Sequence, residues 1–533
     1  DHYPRQHGTS TGPKTSIMMT QPSRSRVLAN GTAGLDGIEG IGLLTARCNG
    51  KTDVIGAVGL DKEKLEAENH GLVVFNAANV VFATGGPGEM YRESVYPPGQ
   101  IGNHGIALEK GAVANNLGES QFGLASTSFR WNLSGTYQQV VPCYYSTDET
   151  GGDVRYFLND YFGDMGRLAT NVFLKGYQWP FHAERLQDRG SSLIDWAVLN
   201  EMRAGRQVYI DFRLNPVATG GLQDFAIDVL DDEALEYLRK SGATQDTPFK
   251  RLEHMNPPAV EVYAEHGIDL AVEPLPVAVC AQHNNGGLRA DSWWESNLGR
   301  FFPIGEVCGT HGVRPGGAAL NSGQVGGLRA ATRIARSGET RVRAVEEFMG
   351  QARSQIDEEL KNIRRYLSAG ADAPTNREVR REIQDRMSEC ASVVRRPDAV
   401  QDALRNARAQ LRRVQKKGIR LSEKKHLNVA FQNEHLCLTH VAFLETIAAY
   451  IRRGGGSRGG YMVADEEGGL TIDSERGEDC PHRAENRDMR GEILETALCG
   501  EGQFEVYPVD VRPLPKDNSW YETVWRDWRE RRV

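Results

Sequence analysis

The run Ala78-Asn79-Val80-Val81-Phe82-Ala83-Thr84-Gly85-Gly86-Pro87-Gly88 says most about the fold. Its first half is a β-branched and aromatic run, which predicts a buried strand. That strand ends directly in glycines, a pattern typical of the carboxyl edge of an α/β sheet, where backbone amides face a ligand. The run therefore predicts an α/β protein that binds a ligand at this edge.

A second strand of the same kind lies far along the chain. The run Phe301-Phe302-Pro303-Ile304 is followed by Gly305-Glu306, and glycines remain frequent to residue 327. Between the two glycine-dense regions the sequence is rich in aromatic residues and irregular in pattern. This arrangement indicates one nucleotide-binding domain that the chain leaves and re-enters.

After the second glycine-dense region the pattern becomes helical. Leu404, Ala407, Leu411 and Val414 follow one another at steps of three and four residues, which predicts an amphipathic helix. The fold class we predict is α/β with an inserted α+β capping domain and a C-terminal helical domain. The predicted divisions are a nucleotide-binding domain in two parts, 1–126 and 281–340, a capping domain, 127–280, a helical domain, 341–453, and a C-terminal tail, 454–533.

Composition limits the classes of function. The formal net charge is -8 without a long basic block, so nucleic-acid binding has no electrostatic support. No apolar run approaches the roughly 20 residues of a membrane helix, so we expect no direct membrane span. The eight cysteines are scattered without a CxxC pair, which argues against a metal or iron–sulfur site and predicts a reducing, cytoplasmic location.

Four short motifs, taken in order, resemble those of a flavoprotein family. They are Ala83-Thr84-Gly85-Gly86, Gly305-Glu306, Arg314-Pro315-Gly316-Gly317 and Gly456-Ser457-Arg458-Gly459. The family comprises the flavoprotein subunits of fumarate reductase and succinate dehydrogenase, and includes L-aspartate oxidase. The resemblance implies a Rossmann-like FAD-binding domain and an FAD-dependent oxidoreductase that transfers a hydride between flavin and a small organic substrate.

The resemblance also implies where the flavin is held. Glu306 would accept a hydrogen bond from a ribose hydroxyl, and the glycines would let backbone amides approach the cofactor without a Cβ in the way. A plain strand-to-helix turn and an exposed turn carboxylate are the alternatives at the two strand ends. The expected cofactor-binding residues are Ala83, Thr84, Gly85, Gly86, Gly305, Glu306, Gly316, Gly317, Asn321 and Ser322.

Three residues are the candidates for catalysis. Arg314 matches the family's arginine that grips a substrate carboxylate, and its fork geometry suits that role. His283 lies in a glycine loop and has a side chain whose unperturbed pKa, near ~6.5, suits proton transfer. Arg189 begins the nearest match to the family's catalytic arginine loop. The alternatives are an arginine paired with a buried carboxylate, a histidine that closes a turn and a surface arginine.

The substrate site departs from the family pattern. Gly123 stands where the family has a substrate histidine, and Gln282 falls on the histidine that binds the dicarboxylate. The sequence therefore predicts that fumarate and succinate are not the substrates. Arg458 is expected either to face the substrate cavity or to cap the helix that ends near Arg453.

The N-terminal part of the sequence also differs from the family pattern, because it contains no Gly-x-Gly-x-x-Gly segment between a buried strand and a helix. The glycine-rich run Gly31–Gly42 reads as a loop. Either the sequence begins inside its gene, or another polypeptide supplies this nucleotide-binding unit. The expected redox partner is an iron–sulfur or other electron-transfer subunit. The alternative function is a non-catalytic or truncated subunit with an assembly role in a redox complex.

Overall fold

The computed structural model describes residues 12–48, 50–313, 318–467, 469–472, 480–513, 523, 526–527, 529–530 and 532. The strands in this part of the chain are β1 Ile38–Cys48, β2 Lys51–Asp61, β3 Leu72–Asn76, β4 Val80–Phe82, β5 Ala114–Asn115, β6 Ser120–Ser126, β7 Trp131–Asn132, β8 Cys143–Thr147, β9 Gln207–Asp211, β10 Leu275–Asn284, β11 Gly287–Leu288, β12 Phe301–Pro303, β13 Val394–Arg395, β14 Met462–Val463, β15 Glu492–Gly500 and β16 Gln503–Asp510. The α-helices are α1 Thr15–Ala29, α2 His104–Glu109, α3 Thr136–Gln139, α4 Met165–Leu174, α5 Ser192–Arg203, α6 Asp232–Lys240, α7 Pro248–Met255, α8 Pro257–Ala264, α9 Ala318–Ser337, α10 Val345–Leu367, α11 Asn376–Cys390, α12 Pro397–Lys417 and α13 Leu427–Arg452.

The two predicted glycine-ended strands lie side by side. β4 and β12 pair in parallel, with Phe301 opposite Val80 and Pro303 opposite Phe82. Both strands lead into a glycine with a left-handed backbone, Gly85 at φ +74° and Gly305 at φ +70°, a conformation that favours glycine. The predicted α/β fold class is confirmed, and the pairing brings both strand ends to one edge.

An antiparallel sheet, β1-β2-β3, precedes this pair. Strand β1 begins at Ile38, so the prediction of a loop over Gly31–Gly42 is wrong for the second half of that run. Its pairing with β2, where Gly42 lies opposite Val58, explains the difference. Glycine is accepted in this strand because the Glu359 carboxyl packs on Gly42, where a Cβ would lie 2.8 Å from Oε1.

A five-stranded antiparallel sheet, in the order β7-β6-β10-β9-β8, underlies the inserted segment. Its central strand β10 is buried almost throughout and pairs with β6, so that Cys280 lies opposite Gly123 and His283 opposite Gln121. Because β6 ends before residue 127 and β10 runs past residue 280, the sheet joins the segment predicted to be a capping domain to the part predicted to bind a nucleotide. It carries Gly123 and Gln282, the two positions that differ from the family pattern, on adjacent strands.

The C-terminal half consists of helices around the long buried helix α13, with α10, α11 and α12 packed beside it. The hairpin β15–β16, which falls in the predicted tail, joins a four-stranded sheet in the order β11-β5-β15-β16. The tail therefore contributes to the same sheet as residues from the first third of the chain. Within the described residues, no helix combines the length and the apolar character that crossing a bilayer requires.

Candidate functional site

The Glu306 carboxylate occupies the edge where β4 and β12 end. Its Oε1 accepts a hydrogen bond from the Tyr96 hydroxyl and another from the backbone N–H of Asn284, at 2.7 Å. Burial and the adjacent carboxylate raise the pKa of Tyr96 well above its ordinary value, so the phenol stays protonated and donates. Gly86 is so close that a Cβ there would lie 2.7 Å from Glu306 Oε1. The structure thus brings both predicted flavin-binding segments together.

The backbone at this edge fits a nucleotide cofactor. A Cβ placed on Gly305 would have no heavy atom within 4 Å, so its backbone is open to a close approach. Two hydrogen bonds hold the loop after β4 in place. Gln100 Nε2 donates to the Thr84 carbonyl at 2.6 Å, and Thr84 Oγ1 donates to the Gly102 carbonyl. An open glycine beside a carboxylate is what a ribose and phosphate group requires.

His283 lies directly beside Glu306. Its Nε2 is 3.8 Å from Glu306 Oε1, and its Nδ1 is 3.0 Å from Asn285 Oδ1. Because an amide oxygen can only accept, Nδ1 carries the proton and Nε2 faces the carboxylate. The ring of His311 packs against it edge-on, with centroids 6.1 Å apart. The predicted catalytic histidine and the predicted flavin ligand are therefore neighbours, although a catalytic role for His283 stays a prediction.

Five further predicted cofactor and substrate residues belong to the segment 314–322. Arg314, Gly316 and Gly317 lie outside the described residues. Asn321 is exposed in the first turn of α9, and Ser322 Oγ meets Thr310 Oγ1 at 2.8 Å. Thr310 Oγ1 in turn lies 3.0 Å from His311 Nδ1, which links the start of α9 to the histidine pair.

Arg189 ends a short 3-10 helix, Ala183–Arg189, with a left-handed φ of 53°. Its carbonyl accepts a hydrogen bond from Asn171 Nδ2 at 3.1 Å. Arg189 is not among the residues that line the two cavities described next. A contact between Arg189 and substrate stays a prediction.

Two adjoining cavities, of about 540 and about 190 Å³, lie next to the histidine pair. They share His182, Val313 and Gly459, and we call them together the substrate cleft. The capping segment 177–185 is fastened across it, since Phe181 N donates to the Phe122 carbonyl at 2.8 Å and Ala183 N to the Gly459 carbonyl at 2.9 Å. The cleft therefore lies between the capping segment and the glycine-rich loops.

Trp179 fills the space beside Gly123, one of the two positions that differ from the family pattern. A Cβ on Gly123 would lie 3.0 Å from Trp179 Nε1, so the indole occupies the volume of the side chain that Gly123 lacks. Gln282 Nε2 donates to the Gly123 carbonyl at 2.8 Å, so the two altered positions touch. The indole N–H is buried and has no hydrogen-bond acceptor among the described residues. Trp179 also lines the smaller cavity of the cleft.

His182 and Arg185 stand beside Trp179 on the same segment. Burial lowers the pKa of His182 below its ordinary value, so the imidazole is neutral at pH 7. Arg185 donates to the Gln178 carbonyl and makes no ion pair within the described part of the chain. Burial also lowers the pKa of its guanidinium, which remains charged. This end of the cleft offers a cation and neutral donors, which suits an anion.

Arg458 lines the larger cavity, where the sequence left a cavity role and a helix-capping role open. Its Nε lies 3.7 Å from Glu119 Oε1 and 3.8 Å from Glu485 Oε1. Glu119 is buried, and desolvation raises the pKa of its carboxyl in spite of the arginine. Arg458 thus has two carboxylates within 4 Å, whereas Asp195 and Glu184 act on Arg185 without forming an ion pair with it.

Sequence reasoning missed Trp179, His182, Arg185 and Glu119. Gly123 was the available signal, because a glycine inside a buried strand indicates that another group approaches the backbone closely. The sequence separation between Gly123 and residue 179 does not identify the side chain that approaches Gly123. The identity of the approaching side chain depends on the fold.

Comparisons with known proteins come from sequence and from structure. No family model matches the chain. Over 144 residues, 27% of this chain, it is 34% identical to a fumarate reductase (CoM/CoB) subunit of Methanothermobacter marburgensis, of which it covers 25%. Over 275 residues, 51% of this chain, it is 24% identical to L-aspartate oxidase of Streptomyces coelicolor, of which it covers 38%.

A solved structure of quinol-fumarate reductase with menaquinol superimposes with a TM-score of 0.65 at 19% identity, over 95% of this chain and 78% of that chain. The sequence matches span only a quarter to two fifths of the curated relatives' length. The likeness in fold, by contrast, extends over nearly the whole chain. In fold and in sequence, the chain resembles the flavoprotein subunits of the fumarate reductase, succinate dehydrogenase and L-aspartate oxidase family.

Proposed function

We propose that this chain is an FAD-dependent oxidoreductase that transfers a hydride between flavin and a small organic anion other than fumarate or succinate. The observation that carries the proposal is the contact series Glu306, His283, Asn285. Glu306 lies at the glycine-lined edge suited to a nucleotide, His283 lies 3.8 Å from it, and Asn285 lines the substrate cleft. The series connects a cofactor edge with a cavity for a second molecule.

Different residues of the chain would bind the cofactor and orient the substrate. Gly85, Gly86, Gly305 and Glu306 would hold FAD, which supplies the hydride acceptor or donor when bound. Arg185 and the indole N–H of Trp179 would orient an oxyanion of the substrate, together with Arg314, whose fork suits a carboxylate.

His283 would move a proton at Nε2, while its Nδ1–H is held by Asn285. His182 is a neutral imidazole that lines the cleft, and it would face the substrate from the capping segment. The capping segment would keep water from the reacting atoms. Arg189, the third candidate from the sequence, would help to orient the substrate.

We also propose that the redox partner is an iron–sulfur or other electron-transfer subunit, because the cysteines of this chain form no cluster motif. A further partner would be a chain that supplies a nucleotide-binding unit to the FAD site. The scattered cysteines suit a cytoplasmic location. The assembly-role alternative is less favoured, because it gives Arg185 and the Trp179 N–H no ligand for the cleft in which they lie.

Fumarate reduction and succinate oxidation are expected to be near background, because Gly123 and Gln282 present no imidazole to a dicarboxylate. The measurement uses FAD-loaded protein with reduced viologen dye and fumarate, and with succinate and an artificial acceptor. A panel of other small carboxylates run in the same assay tests the proposed function. Fumarate turnover at an ordinary enzyme rate, about 1 s⁻¹ or more, would contradict the prediction.

Replacing Trp179 by phenylalanine is expected to raise KM for the best carboxylate of that panel about tenfold and to leave kcat within about threefold. The change removes one hydrogen-bond donor while keeping an aromatic ring against Gly123. Trp131→Phe is the matched control, since Trp131 lies in β7 outside the cleft and should leave KM unchanged. An unchanged KM in Trp179→Phe removes the indole from the substrate site.

A further inference from the structure

A third cavity, of about 170 Å³, lies among α10, α12, α13 and the turn of the β15–β16 hairpin. It shares no lining residue with the substrate cleft. Part of its wall is apolar, from side chains of two helices and the hairpin: Leu411, Phe431, Leu438 and Leu498. The rest of the wall is polar, and two of its groups, His435 and Glu359, have few hydrogen-bond partners among the described residues.

His435 is the first of these groups. The residue is 8% exposed and lines the cavity, yet its imidazole makes no hydrogen bond within the described part of the chain. Burial lowers its pKa to about 4, so at pH 7 the ring is neutral and carries a free lone pair. Buried polar groups are nearly always satisfied, so an imidazole in this state indicates a missing donor.

Glu359 is the second polar group of the cavity wall. It is 6% exposed, and the hydrogen bond it accepts from within the described residues is a long one, from Asn362 Nδ2 at 3.3 Å. Burial, and then the nearby Glu109 carboxylate, raise the pKa of Glu359 to about 7. A cation in the cavity would therefore stabilise the ionised form of this carboxyl, in addition to the nearby Lys110 ammonium.

The mouth of the cavity adds negative charge. Glu109, at the end of α2, and Glu501, in the hairpin turn, are exposed and make no ion pair among the described residues. Glu434 also lines the cavity, but Arg365 neutralises it from 2.8 Å. No group of three or more His, Cys, Asp or Glu in the described ranges is arranged to hold a metal ion. These features favour an organic cation over a metal.

We propose that this cavity binds a short aliphatic diamine. One ammonium group donates to Glu359 and His435 at the buried end, the alkyl chain contacts the apolar wall, and the second ammonium group meets Glu109 and Glu501 at the mouth. The volume is that of roughly six water molecules, which is suitable for a small organic molecule. The site is separate from the proposed oxidoreductase function and does not depend on it.

The test is calorimetric titration of the full chain with butane-1,4-diamine at pH 8.5 and constant ionic strength. Saturable binding of one equivalent is expected, and butane-1,4-diol, which has the same chain without charge, should not bind. Glu359→Gln should weaken binding at least about tenfold, because it removes the acceptor of a charged hydrogen bond. Glu358→Gln is the matched control: it lies one residue away on the exposed face of α10, paired with Lys361, and should bind as the wild type does.

The affinity should also rise about tenfold between pH 6 and pH 8, because binding favours ionised Glu359. The groups that face Glu359 are Glu109 and Lys110 from α2, Asn362 and Tyr366 from α10, Gln415 from α12, Glu434 and His435 from α13, and Glu501 from the hairpin. Among these, Glu359 is the group whose raised pKa lies in that interval.

His435→Phe provides a second variant and should also bind at least about tenfold more weakly, whether or not Glu359→Gln folds. The proposal is overturned by the absence of saturable diamine binding to the wild type, or by equal binding of the diol. Wild-type affinity in a folded Glu359→Gln or His435→Phe protein, or an affinity independent of pH, also overturns it.

Discussion

Replacing Glu306 by alanine is expected to weaken FAD binding by about tenfold to a hundredfold, the range for one hydrogen bond to a charged group. The carboxylate lies where β4 and β12 end, next to Gly86, and there it accepts from Tyr96 and from the Asn284 N–H. Its removal takes away the proposed ribose acceptor. It also leaves the buried Tyr96 hydroxyl without the carboxylate that accepts its hydrogen bond, which loosens the edge that would hold the cofactor.

The measurement is the dissociation constant of FAD, from quenching of flavin fluorescence during titration into the apoprotein. The dissociation constant of Glu306→Gln for FAD should lie between those of the wild type and Glu306→Ala, because the amide oxygen still accepts a hydrogen bond but carries no charge. Glu505→Ala, an exposed position on β16, is the control and should leave the dissociation constant unchanged. Equal FAD affinity in the wild type and Glu306→Ala would exclude Glu306 from the cofactor site.

Replacing Asp195 by asparagine is expected to destabilise the protein by about 3–5 kcal/mol. Asp195 Oδ2 lies 2.5 Å from Lys175 Nζ, and both side chains are 1% exposed. Burial raises the pKa of Asp195 and lowers that of Lys175, so each charge relies on the other. The substitution leaves the lysine buried without its counter-charge.

The Lys175–Asp195 ion pair lies at the two ends of the capping segment, so it affects both the stability of that segment and the substrate cleft. Lys175 follows α4 and Asp195 lies in the first turn of α5, so the pair joins the two ends of the segment that carries Trp179, His182 and Arg185. We therefore expect Asp195→Asn to lose binding at the substrate cleft under conditions where the rest of the chain stays folded. Loss of the capping segment should precede global unfolding.

Urea unfolding followed by circular dichroism and by tryptophan fluorescence measures the effect. Glu236→Gln breaks an exposed pair with Lys240 and is the control, which should leave the urea midpoint close to that of the wild type. The double substitution Lys175→Met with Asp195→Leu should recover most of the loss, because it leaves no unpaired buried charge. A loss below about 1 kcal/mol in Asp195→Asn would show that the buried pair does not stabilise the capping segment.

Several features of this fold could be predicted from local sequence. The strand ends at Gly85 and Gly305 were predicted because an apolar run and the following glycines are adjacent in sequence. Helices such as α12 were predicted because a buried face repeats every three to four residues. The hairpin β15–β16 was missed because its partner strand β5 lies almost 400 residues away in sequence, and no local pattern identifies such a partner.

For the site, residue types alone establish which groups are missing: Gly123 and Gln282 carry no imidazole, and Glu306 follows a buried strand. What replaces them depends on the tertiary structure. Trp179 reaches Gly123 because the capping segment crosses β6, a contact between residues far apart in sequence. Local patterns report backbone conformation and burial, whereas the polar groups that share a cavity are chosen by packing over long distances in the chain.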